Sequence, residues 1–225
     1  MKPMKKDPDP ARARAAREKI ASDLACDLKL TVPPVVLAHR ENAGAEESDV
    51  CVSLVMYPVQ YSWYTVEPKI REIGDQVAGA ARTAMWRTAA LALAFDTWVG
   101  QGDHHNHPHN IVFGYVPGDL LHAEFVFLDY AWAFGFSGGW RGEGTSTCGP
   151  VGFPTIMLAN MDRPALLAAV AAIEQFDVAT IKDVVARIPT SHLDRQEGQL
   201  IASRLIQRRS SVRAALSMQM SGGGS

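Results

Sequence analysis

The sequence predicts an α+β fold built as two unequal lobes. Three observations lead there. Short apolar runs at Val35–Ala38 and Val50–Met56 flank a polar loop and follow one amphipathic helix. The stretch Asp75 to Val99 reads as a helix that is apolar on nearly every face around Ala89 to Phe95, as expected for a helix at the centre of a helical lobe. The remainder of the chain returns repeatedly to helical spacing.

In order, Ala11 to Leu30 is expected to be helical, with Ile20, Leu24 and Leu28 on one face and Arg12, Arg14, Arg17 and Lys19 kept polar. Thr31-Val32-Pro33-Pro34 ends it, because a residue before proline is pushed out of the α region. Glu41 to Asp49 is a polar loop between the two predicted strands. These elements make a small first lobe, residues 1–59. A larger, mainly helical lobe covers 60–220. Its predicted hairpin pairs Ile111–Tyr115 with Glu124–Leu128 around Pro117-Gly118-Asp119. Ser137 to Pro154 is a Gly-, Ser- and Thr-rich surface loop. Arg163–Gln175, Ala179–Arg187 and Gln196–Leu216 close the lobe as helices, and 221–225 reads as a flexible tail.

Composition narrows the classes. A formal charge of −2 over 225 residues, with no basic block, argues against direct nucleic-acid binding or an anionic-membrane binder. The three cysteines include no CxxC pair, which suits buried thiols in a reducing compartment, with Cys26 expected as a small buried hydrophobe. The N-terminus has no apolar core of a secretory signal, and Ala89–Phe95 is too short to span a bilayer. A cytoplasmic protein without a membrane role is the expectation.

The chemistry concentrates in Gly102-Asp103-His104-His105-Asn106-His107-Pro108-His109-Asn110 and in Phe127-Leu128-Asp129-Tyr130-Ala131-Trp132. An acid, an Asn a few residues on, and a second acid in an apolar strand is the pattern of kinase-type phosphotransfer. The first Asp positions or deprotonates a hydroxyl; the Asn and second Asp hold the metal ions that bridge the phosphates. A carboxylate at Asp129 inside an apolar run needs a metal or cationic partner. Two other readings stand beside this one. The four histidines of loop 104–109 could make a metal-dependent hydrolase, although no HExxH or second histidine cluster accompanies them. A solvated polar loop with no chemistry is the plainest alternative.

The pattern Phe95-Asp96-x-Trp98-x-Gly100-x-x-Asp103-x-His105, then Asn110-Ile111-Val112 and Phe127-Leu128-Asp129-Tyr130-Ala131-x-Ala133-Phe134, resembles the catalytic core of HipA-like protein kinases. These are bacterial two-lobed kinases distantly similar to phosphatidylinositol 3- and 4-kinases. Glu18 to Pro34 resembles the family's N-lobe helix and its "vPP" turn, and Ile188–Leu216, with Leu205-x-x-Arg208-Arg209, its C-terminal helices. The resemblance covers about residues 15 to 216.

It implies a protein-kinase-like fold with a reduced N-lobe and a mainly helical C-lobe, and transfer from ATP with Mg²⁺ to a hydroxyl on a protein phosphoacceptor (Ser or Thr). Asp103 would be catalytic, Asn110 and Asp129 metal ligands, and Glu18 the helix glutamate that pairs with an ATP-contacting lysine, for which Lys2 stands in place. Tyr57-Pro58 and Gln60-Tyr61 fall where kinases have the interlobe hinge. Residues 135–150, with Ser137, Thr145, Ser146 and Thr147, fall at the activation segment, although an ordinary surface loop accounts for them more simply. The chain departs from the family in two ways. Six residues separate Asp103 from Asn110 where four are usual, which leaves Asn106 as a second choice of ligand. The start of the chain leaves no room for a glycine-rich phosphate loop. Weak ATP binding by the chain alone is therefore expected, with an operon-encoded partner protein to complete the lobe, or a catalytically inactive kinase-fold module that binds nucleotide or a partner.

Overall fold

A computed structural model describes residues 11–39, 41, 49–67, 79–135 and 146–222. Helix α1 (Ala11–Asp27) buries Ala13, Ala16, Ile20, Ala21, Leu24 and Ala25. It stops short of the expected Leu30. Leu30 N–H donates to Ala25 C=O (2.9 Å) and Lys29 N–H to Cys26 C=O (3.0 Å), with Lys29 left-handed at φ 65°. This is a Schellman-type close, with lysine where glycine is usual. Cys26 is exposed, contrary to expectation, because the buried stripe at 20, 21, 24 and 25 leaves position 26 on the far side of the helix. The Val32–Pro34 turn docks back on the helix through Ser22 Oγ, which donates to Pro33 C=O at 2.9 Å.

Strands β1 (Val35–His39) and β2 (Asp49–Ser53) pair antiparallel, Val35 opposite Ser53, and α1 packs on them. The expected strand to Met56 ends at Ser53. Beyond it Leu54, Val55 and Met56 are exposed, Val55 by 80%.

A strand absent from the sequence reading follows. β3 (Val59–Ser62) straddles the expected 59/60 lobe boundary and joins β4 (Ile111–Val116), which pairs in turn with β5 (Asp119–Phe127) in the order β3-β4-β5. The turn at Gly118 has φ 83°, as the hairpin signal demanded. Gly114 lies under the Tyr57 ring; a Cβ there would come within 2.7 Å of Tyr57 Cγ. Gly114→Ala should therefore cost about 1–3 kcal/mol by overpacking and dislodge the Tyr57 segment. Urea unfolding of that variant with an unchanged midpoint would contradict the close packing.

After the short α2 (Trp63–Val66), α3 (Gly79–Val99) runs through the middle of the molecule. Ala89, Ala90 and every residue from Ala92 to Val99 are buried, as the all-apolar pattern predicts; residues 75–78 of the expected helix lie outside the described residues. Helices α4 (Thr155–Asn160), α5 (Arg163–Glu174), α6 (Val178–Ala186), α7 (Arg195–Arg208) and α8 (Val212–Gly222) complete the chain. α5 lies along α3.

The single helix expected over 196–216 is broken by a 3₁₀ turn at Arg209–Ser211. There the Ser210 and Ser211 hydroxyls donate to the Gln207 and Arg208 carbonyls. α8 carries the helix through Ser221 and Gly222, into the tail expected to be flexible.

Asp162, Asp177 and Asp194 cap α5, α6 and α7 with their carboxylates. The Ala165 N–H and then Arg87 hold the Asp162 carboxyl below its ordinary range; the Thr180 N–H and hydroxyl do so for Asp177. Such a depressed pKa contributes stability above the ordinary carboxylate value, and that contribution is lost as pH falls through the depressed one.

α1 is also tied to α7. Arg17, 1% exposed, pairs with Glu197 at 2.8 Å. Among the described residues, no single helix is long and apolar enough to cross a membrane.

Candidate active site

The C-terminus of α3 fixes the base of the Asp103 loop. The last carbonyls of a helix have no partner within it. Here Arg208, 5% exposed, donates through Nε to Trp98 C=O (2.7 Å) and through Nη2 to Thr97 C=O (2.8 Å), while its Nη1 reaches Thr147 C=O (2.5 Å). Phe134 N–H takes Val99 C=O at 2.8 Å, and the N–H groups of Gly100 and Gln101 both take Asp96 C=O. Gly100, at φ 74°, turns the chain out of the helix in a conformation that favours glycine.

The loop then forms one tight turn. Asp103 C=O accepts from the Asn106 and His107 N–H groups, and His107 Nε2 lies 3.1 Å from Asp103 Oδ1. The Asp103 side chain keeps 17% of its surface exposed. A 3₁₀ turn, Pro108–Asn110, leads into β4.

The four histidines do not converge. His104 is fully buried, His107 sits on Asp103, His109 lies against the Tyr64 ring at 6.1 Å, and His105 packs close to Gly152. No group of three His, Cys, Asp or Glu side chains among the described residues could hold a metal ion, so the hydrolase alternative finds no ligand cluster there.

Asp129 follows β5 with φ 63°, a conformation that costs an L residue about 1–2 kcal/mol. Hydrogen bonds from several sides hold this peptide stretch. Leu128 N–H donates to Asn110 C=O (2.7 Å), Leu128 C=O receives His104 Nε2 (3.0 Å), and Asp129 C=O receives Gln101 Nε2 (2.7 Å). The loop bearing Asp103, the start of β4 at Asn110 and the turn bearing Asp129 are thus stitched into one assembly by adjacent backbone bonds. Asn106 is exposed, and its N–H is spent inside the Asp103 turn.

Glu18 is buried on α1, 8% exposed, and near enough to Tyr130 to influence its hydroxyl. Burial first, and then the Asp96 carboxylate, pushes the Tyr130 hydroxyl well above its ordinary range. Arg14 of the same helix lies 4.5 Å over the Trp132 ring. Lys2, the expected phosphate contact, is outside the described residues, as are Trp140, Ser137 and Thr145. Trp98 is core, donating to Leu205 C=O, rather than part of an open pocket. Tyr57 hydrogen-bonds Glu124, which also accepts from Thr31 Oγ1 at 2.7 Å, and burial raises the Glu124 carboxyl.

Asp96, Gln101, His104 and Arg208 have parts in this assembly that the sequence reading did not assign. Asp96 carried one usable signal, an acid inside the most apolar helix of the chain.

No protein-family model matches the chain, and no curated protein sequence does. Solved structures do match. One is the Helicobacter pylori proinflammatory kinase CtkA, with a TM-score of 0.66 at 12% identity over 96% of this chain and 85% of that one. The fold is kinase-like. Along this fold the Asp103 loop, the β4–β5 hairpin and the Asp129 turn follow one another in the chain.

Proposed function

We propose that the chain is an ATP- and Mg²⁺-dependent phosphotransferase of HipA-like kinase type, acting on a Ser or Thr hydroxyl of a protein. The observation that carries this reading is the stitching of the Asp103 loop to the Asp129 turn through Gln101, His104 and Asn110. The donor chemistry fits the metal. An Asn amide oxygen and an Asp carboxylate are hard oxygen ligands, and Mg²⁺ needs few protein ligands because it keeps several waters. Mg²⁺, when bound, offsets the charge of the phosphates.

The chain's own groups do the rest. Asp103 orients the acceptor hydroxyl and takes its proton, while His107 holds one of its oxygens in place. Asn110 and Asp129 are the metal ligands. Glu18 belongs to the nucleotide side with Lys2, and the exposed Leu54–Met56 run beside Tyr57 offers an apolar surface for adenine.

Calorimetric titration of a non-hydrolysable ATP analogue is expected to show binding with Mg²⁺ that falls at least about tenfold in EDTA, since the phosphates lose their counter-charge. Equal binding with and without metal would sink the phosphotransfer reading. Transfer from γ-labelled ATP, with and without proteins encoded beside this chain, tests the activity itself. Asp103→Ala serves as the control. A gain on adding such a protein supports an operon-encoded partner; robust transfer by the chain alone removes the need for one.

A further inference from the structure

We propose that His104, oriented by Asp96, is a positioning residue that sets the Leu128–Asp129 turn against the Asp103 loop. The proposal rests on the phosphotransfer reading for its consequence, but its geometry stands on separate bonds.

Both side chains are fully buried. Imidazole Nε2 lies 3.0 Å from Leu128 C=O, and a carbonyl can only accept, so Nε2 carries hydrogen and donates. Nδ1 lies 2.6 Å from Asp96 Oδ2, a distance that requires one hydrogen between them. Whether that hydrogen belongs to the ring or to the carboxyl, both nitrogens are engaged and the ring cannot turn. Phe127 and Tyr130 meet the imidazole edge-on at 5.4 and 5.2 Å, so the residues on either side of Leu128–Asp129 also wall it in.

The turn needs such a hold. Asp129 sits at φ 63°, and a non-glycine residue stays there only where its surroundings over-determine it. The loop that carries Asp103 bonds both carbonyls, His104 on that of Leu128 and Gln101 on that of Asp129. Asn110 C=O takes the Leu128 N–H. The candidate base and the candidate metal ligands are therefore held at a set spacing by a fully buried ring. Asp96 fixes that ring from α3, whose end is itself held by Arg208. A buried pair that merely filled the core would affect melting but not the metal requirement, and this difference makes the proposal testable.

The test uses the full chain with His104→Phe, Asp96→Leu and Asp96→Asn. His104→Phe keeps the ring volume and loses the bond to Leu128. Asp96→Asn can donate its amide N–H to Nδ1 while Nε2–H still reaches Leu128, so it restores the orientation without the charge. In Mg²⁺ titrations at fixed ATP analogue, His104→Phe and Asp96→Leu should raise the half-saturating Mg²⁺ by about 10- to 100-fold, as loss of a supporting contact does at metal sites. Asp96→Asn should stay close to wild type.

Hydrogen exchange of peptides spanning 126–132, measured without metal or nucleotide, should accelerate in the first two variants and not in the third. Folded His104→Phe and Asp96→Leu chains with wild-type Mg²⁺ half-points and wild-type exchange would overturn the proposal. So would an Asp96→Asn chain as impaired as Asp96→Leu. If wild type itself binds nucleotide without regard to Mg²⁺, the phosphotransfer reading fails, and the exchange measurement alone still decides whether His104 holds the turn. Should His104→Phe not fold, the contrast between the two Asp96 variants decides it.

Discussion

Asp103→Ala is expected to reduce phosphoryl transfer by about 10²–10⁴-fold, the usual loss for a positioned general base, while Mg·ATP affinity stays near wild type. Asp129→Asn is expected to lower both. The difference follows from where each group acts. Asp103 has one oxygen on His107 and keeps 17% of its side chain exposed, and in its proposed role it meets the acceptor hydroxyl. Its loss falls on the step in which that hydroxyl is oriented. Asp129 belongs to the turn held by Gln101, His104 and Asn110, and in its proposed role as a metal ligand it would contribute to ground-state binding as well as to the rate. Single-turnover transfer and calorimetry on the same two variants separate the effects. Indistinguishable profiles would show that the two roles are wrongly assigned.

Arg208→Met carries the largest expected effect on stability, a loss of about 3–5 kcal/mol, because three carbonyls are left without their charged donor. For a chain of this size that corresponds to a fall in melting temperature of roughly 10 °C. Arg208→Lys should recover only part, since an ammonium on a flexible stem cannot span Thr97, Trp98 and Thr147 together. Burial already works against the Arg208 charge, with the nearby Cys148 thiol acting the other way. Its retention there points to geometry that no neutral residue supplies. Denaturant unfolding that places Arg208→Met within about 1 kcal/mol of wild type would contradict this account.

The central helix and the hairpin were legible because their signals are local. Continuous apolarity from Ala89 to Phe95 and the Pro117-Gly118 turn need no distant partner to be read. β3 and α4 escaped for a physical reason. Four residues with two exposed in the middle show no alternation, and six residues after Pro154 give too few turns for a helical period. Both depend on tertiary partners, β3 on a strand some fifty positions away. At the site, Asp103, Asn110 and Asp129 stood out as polar groups set between apolar elements. His104 and Arg208 did not, since the partners that give them meaning are mostly backbone carbonyls, and a carbonyl has no letter in a sequence. The histidine cluster misled in the same way. Four neighbouring imidazoles suggest a shared ligand, whereas the turn at Asp103 sends one inward and the others to separate places.

The Arg17–Glu197 pair bears on how such a molecule could be switched. Glu18 is carried by α1 (Ala11–Asp27). Here that helix is bolted at its inner face to α7 by a nearly dry ion pair, whose rupture by loss of one member would cost about 3–5 kcal/mol. It also lays Arg14 on Trp132, just beyond Asp129. α1 and α7 are thus parts of one frame, and moving Glu18 away from α7 would break that pair first.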